Sequence, residues 1–507
     1  MSEPSVLFPS RGARVVATED PEIFRDLNLD QVFNTILSGF EEYELRPYMR
    51  NLLRGVDEVA YRHEVFRDLE RPAIRCAVQD FCLAMRAMRD ALRMEEKLSY
   101  KQQKEWWFLD AVATYCGAVR ELARRSTDLP VVSRGLRALL DYLVRYAASE
   151  RFQALEREVR ALREGLDDIR YAIHIKGNRV SVMRYAGEPD YSAEITELFA
   201  RFHQGTVEDH RVRLGDSPDM DSVEARVVEL VARLYPDVFR ALEAFRADRR
   251  DYLDPVLATF DREIQFYVAY LSWVERLRAH GLPFCYPEVS ETCKEIEVRE
   301  GFDLALALKL EHGTVVRNDF FLRGLERILV VTGPNNGGKT TFARMVGQLH
   351  YLAGLGLPVP AAYARLILPD RVFTHFEREE DLATLRGKLD DELVRIRDIL
   401  QHAGERSVIV MNESFSSTAL RDALYLGTKI LRRVIDIGAI GVYVTFVDQL
   451  AALAPQTVSM VGVVDPSDPA RRTYRFERRP ADGRAYALAV AEKYGLTYER
   501  LRKRIAS

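Results

Sequence analysis

Gly333-Pro334-Asn335-Asn336-Gly337-Gly338-Lys339-Thr340-Thr341 follows a short apolar run, Ile328-Leu329-Val330-Val331, and precedes a helical pattern of Phe342, Met345, Val346 and Leu349. Strand, glycine-rich loop and helix in that order, with the spacing G-x-x-x-x-G-K-[ST], define a phosphate-binding loop. The glycines let backbone N–H groups turn inward around a polyphosphate. The helix that follows points its positive dipole end at the same anion. In this reading Gly333 to Thr341 cradle ATP, Lys339 reaches the β- and γ-phosphates, and the Thr340 hydroxyl faces Mg²⁺.

A phosphate loop needs a second strand that ends in groups able to anchor the cation and orient water. Val408-Ile409-Val410-Met411-Asn412-Glu413 has that form. Four apolar residues carry Asn412 and Glu413 to the strand tip, where Glu413 is the candidate general base. Asp is the usual residue at the position of Asn412. An amide can accept a hydrogen bond from a Mg²⁺-bound water but adds no negative charge, so the expectation is weakened metal anchoring and slow turnover. Val442-Tyr443-Val444-Thr445, Val458 to Val464 and Thr473 to Phe476 read as further strands. Alternation with helical segments predicts an α/β P-loop NTPase with a mostly parallel sheet over 287–507.

Upstream the texture is helical. Leu27, Val32, Ile36 and Phe40 recur at helix spacing, as do Phe81, Met85, Met88 and Leu92. Trp106-Trp107, followed by Phe108 and Leu109, fits core packing better than base stacking. Ile173-His174-Ile175 and Val180-Ser181-Val182 alternate about Lys176-Gly177-Asn178-Arg179, which predicts a hairpin with a basic turn. Val227 to Phe245 and Leu257 to Val274 then form two helical faces, separated at Asp254-Pro255. The expected organisation is a tail over 1–19, an all-α lever/core domain over 20–168 and 222–286, a small hairpin or clamp-like insertion over 169–221, and the nucleotide domain.

Composition narrows the class. With 47% hydrophobic and 30% charged residues the chain is a folded globular protein, and a net charge of −4 confines any nucleic-acid surface to a local patch. Cys76, Cys82, Cys116, Cys285 and Cys293 form no C-x-x-C pair and read as buried, reduced thiols. No apolar leader or membrane span is evident, so a cytoplasmic protein is expected. The arginine-rich end (Arg471, Arg472, Arg475, Arg478, Arg479, Arg484, Arg500, Arg502, Arg504) interleaves with acids and reads as a solvated or interface face.

These residues together resemble the ATPase domain of the MutS family of DNA mismatch-repair proteins. Thr332 to Thr341 is similar to the family's T-G-P-N-x-G-G-K-[ST]-T. Val316-Arg317-Asn318-Asp319 is similar to V-x-N-D, and Asp370 to Thr374 with Asp381-Leu382-Ala383 to D-R-I-F-T…D-[DN]-L-A. Met411-Asn412-Glu413 with Thr418 resembles M-D-E…G-T. Gly483, Tyr486 and Ala487 to Ala491 resemble the closing stretch, and the helix from Asp261 to Leu277 before Cys285-Tyr286-Pro287-Glu288 resembles the lever helix.

The resemblance implies ATP and Mg²⁺ as cofactors and a homodimer that clamps duplex, mismatched or branched DNA. It also exposes departures. Gly387 stands where the family has its signature serine, Phe446 where it has a switch histidine, and helices begin near residue 20 in place of wedge and connector domains. Mismatch reading by the family's Phe wedge is therefore not expected. Arg386 to Glu392 carries no L-S-G-G-Q signature, which argues against a transporter-type ATPase. The alternative from another class is a nucleotide-gated scaffold on a protein or ribosomal RNA partner, with little hydrolysis.

Overall fold

A computed structural model describes residues 3–9, 19–177, 179–188, 219–310, 314–377, 388–416, 418–465 and 471–481. Expectations for Gly387, Asp381 to Ala383, Gly483 to Ala491, Arg484 and the arginines from 500 onward lie outside these residues, as does the insertion from 189 to 218.

The chain forms two compact units, residues 1–70 with 132–135 and 262–507, and residues 71–131 with 136–261. In chain order the strands are β1 (Tyr171–Lys176), β2 (Arg179–Arg184), β3 (Glu288–Ser290), β4 (Ile296–Gly301), β5 (Asn318–Leu322), β6 (Ile328–Thr332), β7 (Tyr363–Ile367), β8 (Val372–Phe376), β9 (Val408–Asn412), β10 (Ile440–Val444), β11 (Thr457–Val464) and β12 (Arg472–Arg478). The main sheet has the order β12-β11-β6-β10-β9-β8, parallel throughout except for β12. It is the α/β architecture that the apolar runs predict, because strands covered on both faces carry unbroken Val/Ile stretches.

A four-stranded sheet, β3-β7-β4-β5, accompanies it. The sequence reading did not separate this sheet. Its strands are mixed in direction and carry polar residues among the buried ones, so they give neither the unbroken apolar run nor the clean alternation that marks a strand in sequence.

The helix Lys339–Gly354 explains why residues 19–70 fold with the nucleotide unit. Its outer face is apolar and buried, with Gly347 so close to Leu27 that a Cβ there would lie 2.6 Å from Leu27 Cδ2. Gln348 Nε2 donates to Leu27 O at 2.9 Å, Tyr351 OH donates to Met49 O at 2.8 Å, and Phe24 meets the Tyr351 ring edge-on at 5.4 Å. The compact units therefore divide at Glu70 and Asp261, not at 168 and 286, because the early helices supply the second wall of the phosphate-loop helix.

Residues 5–8 form a buried strap in the same unit. Glu263 Oε2 accepts from Ser5 Oγ at 2.7 Å and Val6 N at 2.9 Å, while Tyr61 and Tyr267 donate to the Ser5 and Val6 carbonyls.

In the second unit the long helices Pro72–Lys97 and Lys101–Ser126 pack side by side. β1 and β2 form the expected hairpin, with Ile173 opposite Val182 and Lys176 opposite Arg179. The run from Val227 to Phe245 is two helices, Ser222–Leu234 and Pro236–Asp248. Pro236 lacks the N–H and forces the break after Tyr235. Trp106 is half exposed while Phe108 and Leu109 are buried, so the aromatic pair is only partly core. Cys82 and Cys116 are buried, but Cys76 and Cys293 are exposed, since neither lies on a core-facing helical position. Among the described residues no helix is long and apolar enough to cross a membrane.

Candidate functional site

Strand register brings the two motifs together. Val444 of β10 pairs with Val331 of β6 on one side and Asn412 of β9 on the other. The loop leaving β6 at Thr332-Gly333 and the turn leaving β9 at Asn412-Glu413 therefore emerge at the same level of the sheet. In a parallel sheet this is the carboxyl end, where ligands bind.

The loop is shaped as a cradle. Gly338 sits at φ +91° as the cap of the helix Lys339–Gly354, and Asn336 at φ +56°. At Gly337 a Cβ would lie 2.8 Å from the Pro334 carbonyl oxygen, so this position admits only glycine. Lys339 is 5% exposed, and its Nζ lies 3.3 Å from Gly333 O, Pro334 O and Asn335 Oδ1. These contacts are long for charge-assisted bonds. Burial lowers the Lys339 pKa, and Glu413, with Oε1 3.7 Å from Nζ, opposes that shift.

Beyond β9 the backbone turns sharply. Glu413 and Phe415 have φ of +54° and +63°, in the left-handed region where a non-glycine residue is strained. Surrounding bonds hold the turn: Glu413 N donates to Val444 O at 3.0 Å, and Phe415 N to the buried Glu392 Oε2 at 3.0 Å. His375 Nδ1 and Ser414 Oγ are 3.0 Å apart. Strain concentrated at the residue carrying the candidate base is the pattern expected of a functional turn.

Loop and turn line a cavity of ≈ 890 Å³ together with Phe302, Leu306, Val316 and Tyr474. Sequence reasoning gave none of these a site role, although Val316 stands in the V-x-N-D element and Tyr474 in an expected strand. Tyr474, at φ +58° within β12, lies against Gly338, and Asn318 ties that strand in place by donating to Tyr474 O and accepting from Phe476 N. The V-x-N-D resemblance marked Asn318, but the pairing partner is 158 residues away. Phe446 is half exposed and lines a different cavity, with Leu420, Asp448 and Arg478.

The residues present fit a Mg²⁺–nucleotide. Asn412 is 7% exposed and its Oδ1 is buried without a hydrogen-bond partner, an acceptor left for a cation-bound water. Thr340 lines the cavity shared by the loop and Glu413, while Asn412 lies one residue before Glu413 and is not part of that lining. The arrangement can bind a polyphosphate and place a carboxylate beside its terminal group.

A buried lysine in a glycine cradle, at the carboxyl end of a parallel sheet with a second strand tip beside it, defines a P-loop nucleotide domain. Comparison with known proteins names it further. Residues 329–502 match the family model of MutS domain V. A DNA mismatch repair protein MutS of Shouchella clausii is 28% identical over 291 residues, covering 55% of this chain and 32% of that protein. The MutS of Syntrophomonas wolfei is 26% identical over 287 residues, covering 55% and 33%. The chain thus spans about a third of the length of these curated relatives.

Proposed function

We propose that the protein is a MutS-type ATPase in which ATP binding and slow hydrolysis drive a dimeric clamp on DNA. The observation that carries the reading is the convergence of Lys339 and Glu413, 3.7 Å apart, from strands that only the parallel register brings together.

Backbone N–H groups of residues 335–341 and the Lys339 ammonium bind and orient the phosphates. Glu413, held by its strained turn, orients the attacking water and takes its proton at a carboxylate oxygen. Thr340 and Asn412 would hold Mg²⁺, which when bound neutralises charge developing on the phosphates. Asn412 contributes a neutral acceptor only, which supports slow turnover. DNA contact would be to phosphates and duplex shape, because the motifs include no base-reading module.

The test pairs two measurements on the full chain. Steady-state ATPase should fall at least tenfold in Glu413→Ala. Binding to duplex, mismatched and branched DNA should weaken steeply between low and moderate salt, as phosphate neutralisation requires. Equal hydrolysis by parent and variant would favour the second reading, a nucleotide-gated scaffold on a protein or ribosomal RNA partner, which Asn412 motivates. Absence of binding to every DNA form would remove the clamp.

A further inference from the structure

A second cavity in the nucleotide unit, ≈ 630 Å³, lies at the opposite end of the sheet from the phosphate loop. Arg371 directly precedes β8, and Arg406 lies just ahead of β9. In a parallel sheet these are the amino ends, where the fold provides no ligand crevice. The helix Arg46–Arg50 ends in Arg50 and the turn after it adds Arg54, so four arginines line the space with a single acidic residue, Asp370.

The acids nearby do not neutralise this set. Asp20 is shared between Arg46 and Arg50. Asp370 Oδ1 is taken by Ser407 Oγ at 2.8 Å and Arg371 N at 2.7 Å. Glu291 approaches Arg406 only at 3.6 Å, and its other oxygen accepts from Val56 N. Among the described residues the side chains of Arg54 and Arg371 have no hydrogen-bond or ion-pair partner. Like charges gathered in one concavity repel each other unless an anion joins them. Phe373 gives the cavity a partly apolar wall, which a bare solvated arginine patch has no need of.

We infer that this cavity is a second anion site, separate from the phosphate loop, that binds a phosphate group through Arg54 and Arg371 with Arg50 and Arg406 behind them. Phosphate suits the donor set because its tetrahedral oxygens accept from several planar guanidinium forks at once. The size admits a phosphorylated small molecule or a short length of nucleic-acid backbone. The site does not depend on how the phosphate loop functions.

The probe is labelled pyrophosphate, titrated into the full chain in saturating ADP so that the phosphate loop is occupied. One saturable site per chain is expected. Arg54→Gln with Arg371→Gln should weaken it at least tenfold while the melting temperature and ADP affinity stay at parent values. These residues are exposed, so the variant keeps its fold. No saturable binding in ADP, or equal affinity in parent and double variant, would overturn the site. A single-stranded deoxythymidine oligomer that displaces pyrophosphate would identify backbone phosphate as the source. Retained pyrophosphate binding without displacement would identify a free phosphorylated compound.

Discussion

Asn412→Asp is the most informative single change. It restores a charged oxygen where the structure holds an amide acceptor, buried to 7% exposure and without a partner. Without a cation, the new carboxylate sits at a strand tip with no hydrogen bond for the atom it charges. Removing a carboxylate from water without pairing costs several kcal/mol, against about 1–3 kcal/mol already spent on the orphaned amide oxygen. The net loss should therefore be about 2–4 kcal/mol in metal-free buffer. Mg²⁺ with ATP reverses the sign of the problem. The ligand stabilises parent and variant alike, so the gap narrows only by their difference in affinity, about 1.4 kcal/mol for each tenfold tighter binding of Mg²⁺-ATP by the variant. Thermal melting in chelator and in Mg²⁺-ATP reads both terms, and steady-state ATPase reads the consequence. The variant should melt below the parent in chelator, approach it in Mg²⁺-ATP, and hydrolyse faster if the amide limits turnover. Equal melting in chelator together with an unchanged Mg²⁺ dependence would refute the placement of residue 412 beside the cation.

Lys339→Ala removes the buried cation of the cradle and should abolish binding of a fluorescent ATP analogue; retained affinity would contradict the assignment. Glu263→Ala leaves the Ser5 hydroxyl and Val6 N–H unsatisfied in the core, at a cost of about 2–4 kcal/mol for two bonds to a charged acceptor; an unchanged denaturation midpoint would mean that the strap does not stabilise the fold. Glu105 is buried, which pushes its carboxyl up to about 7 against the opposing charge of Lys101, with Glu243 and Arg246 as weaker neighbours. Its folded pKa is raised, so its contribution is complete below about 4.5 and lost as pH rises through about 7, on the order of 3 kcal/mol. His350, lowered to about 4 by burial, acts oppositely, losing stability as pH falls from 6.5. Denaturation of parent and Glu105→Gln at pH 5 and pH 8 isolates the first effect: the variant should lose less stability at pH 8, and parallel pH profiles would remove Glu105 as the cause.

Local pattern sufficed for the strand–loop–helix unit. Ile328 to Val331, Gly333 to Gly338 and Lys339 specify that unit within a dozen residues, because glycine conformational freedom and an apolar strand are properties of adjacent positions. β9 to β12 were legible for the same reason. The break at Pro236 was not read, although proline carries it, because the apolar face continues across the break and periodicity alone reports the face.

Tertiary structure decided what depends on contacts distant in sequence. Asn412 and Glu413 reach the level of Gly333 only through the β10 register, and no spacing in the chain encodes that register. Asn318 meets β12 across 158 residues, and Leu27 meets Gly347 across an even longer separation. The sequence by itself determined that a glycine-rich strand–loop–helix unit exists and which residues build it. Folding decided that Glu413 stands 3.7 Å from Lys339, that residues 19–70 brace the cradle's helix, and that four arginines share a cavity at the far end. Backbone conformation is set by neighbours along the chain, whereas charge placement and burial are set by whatever the packed core brings into contact.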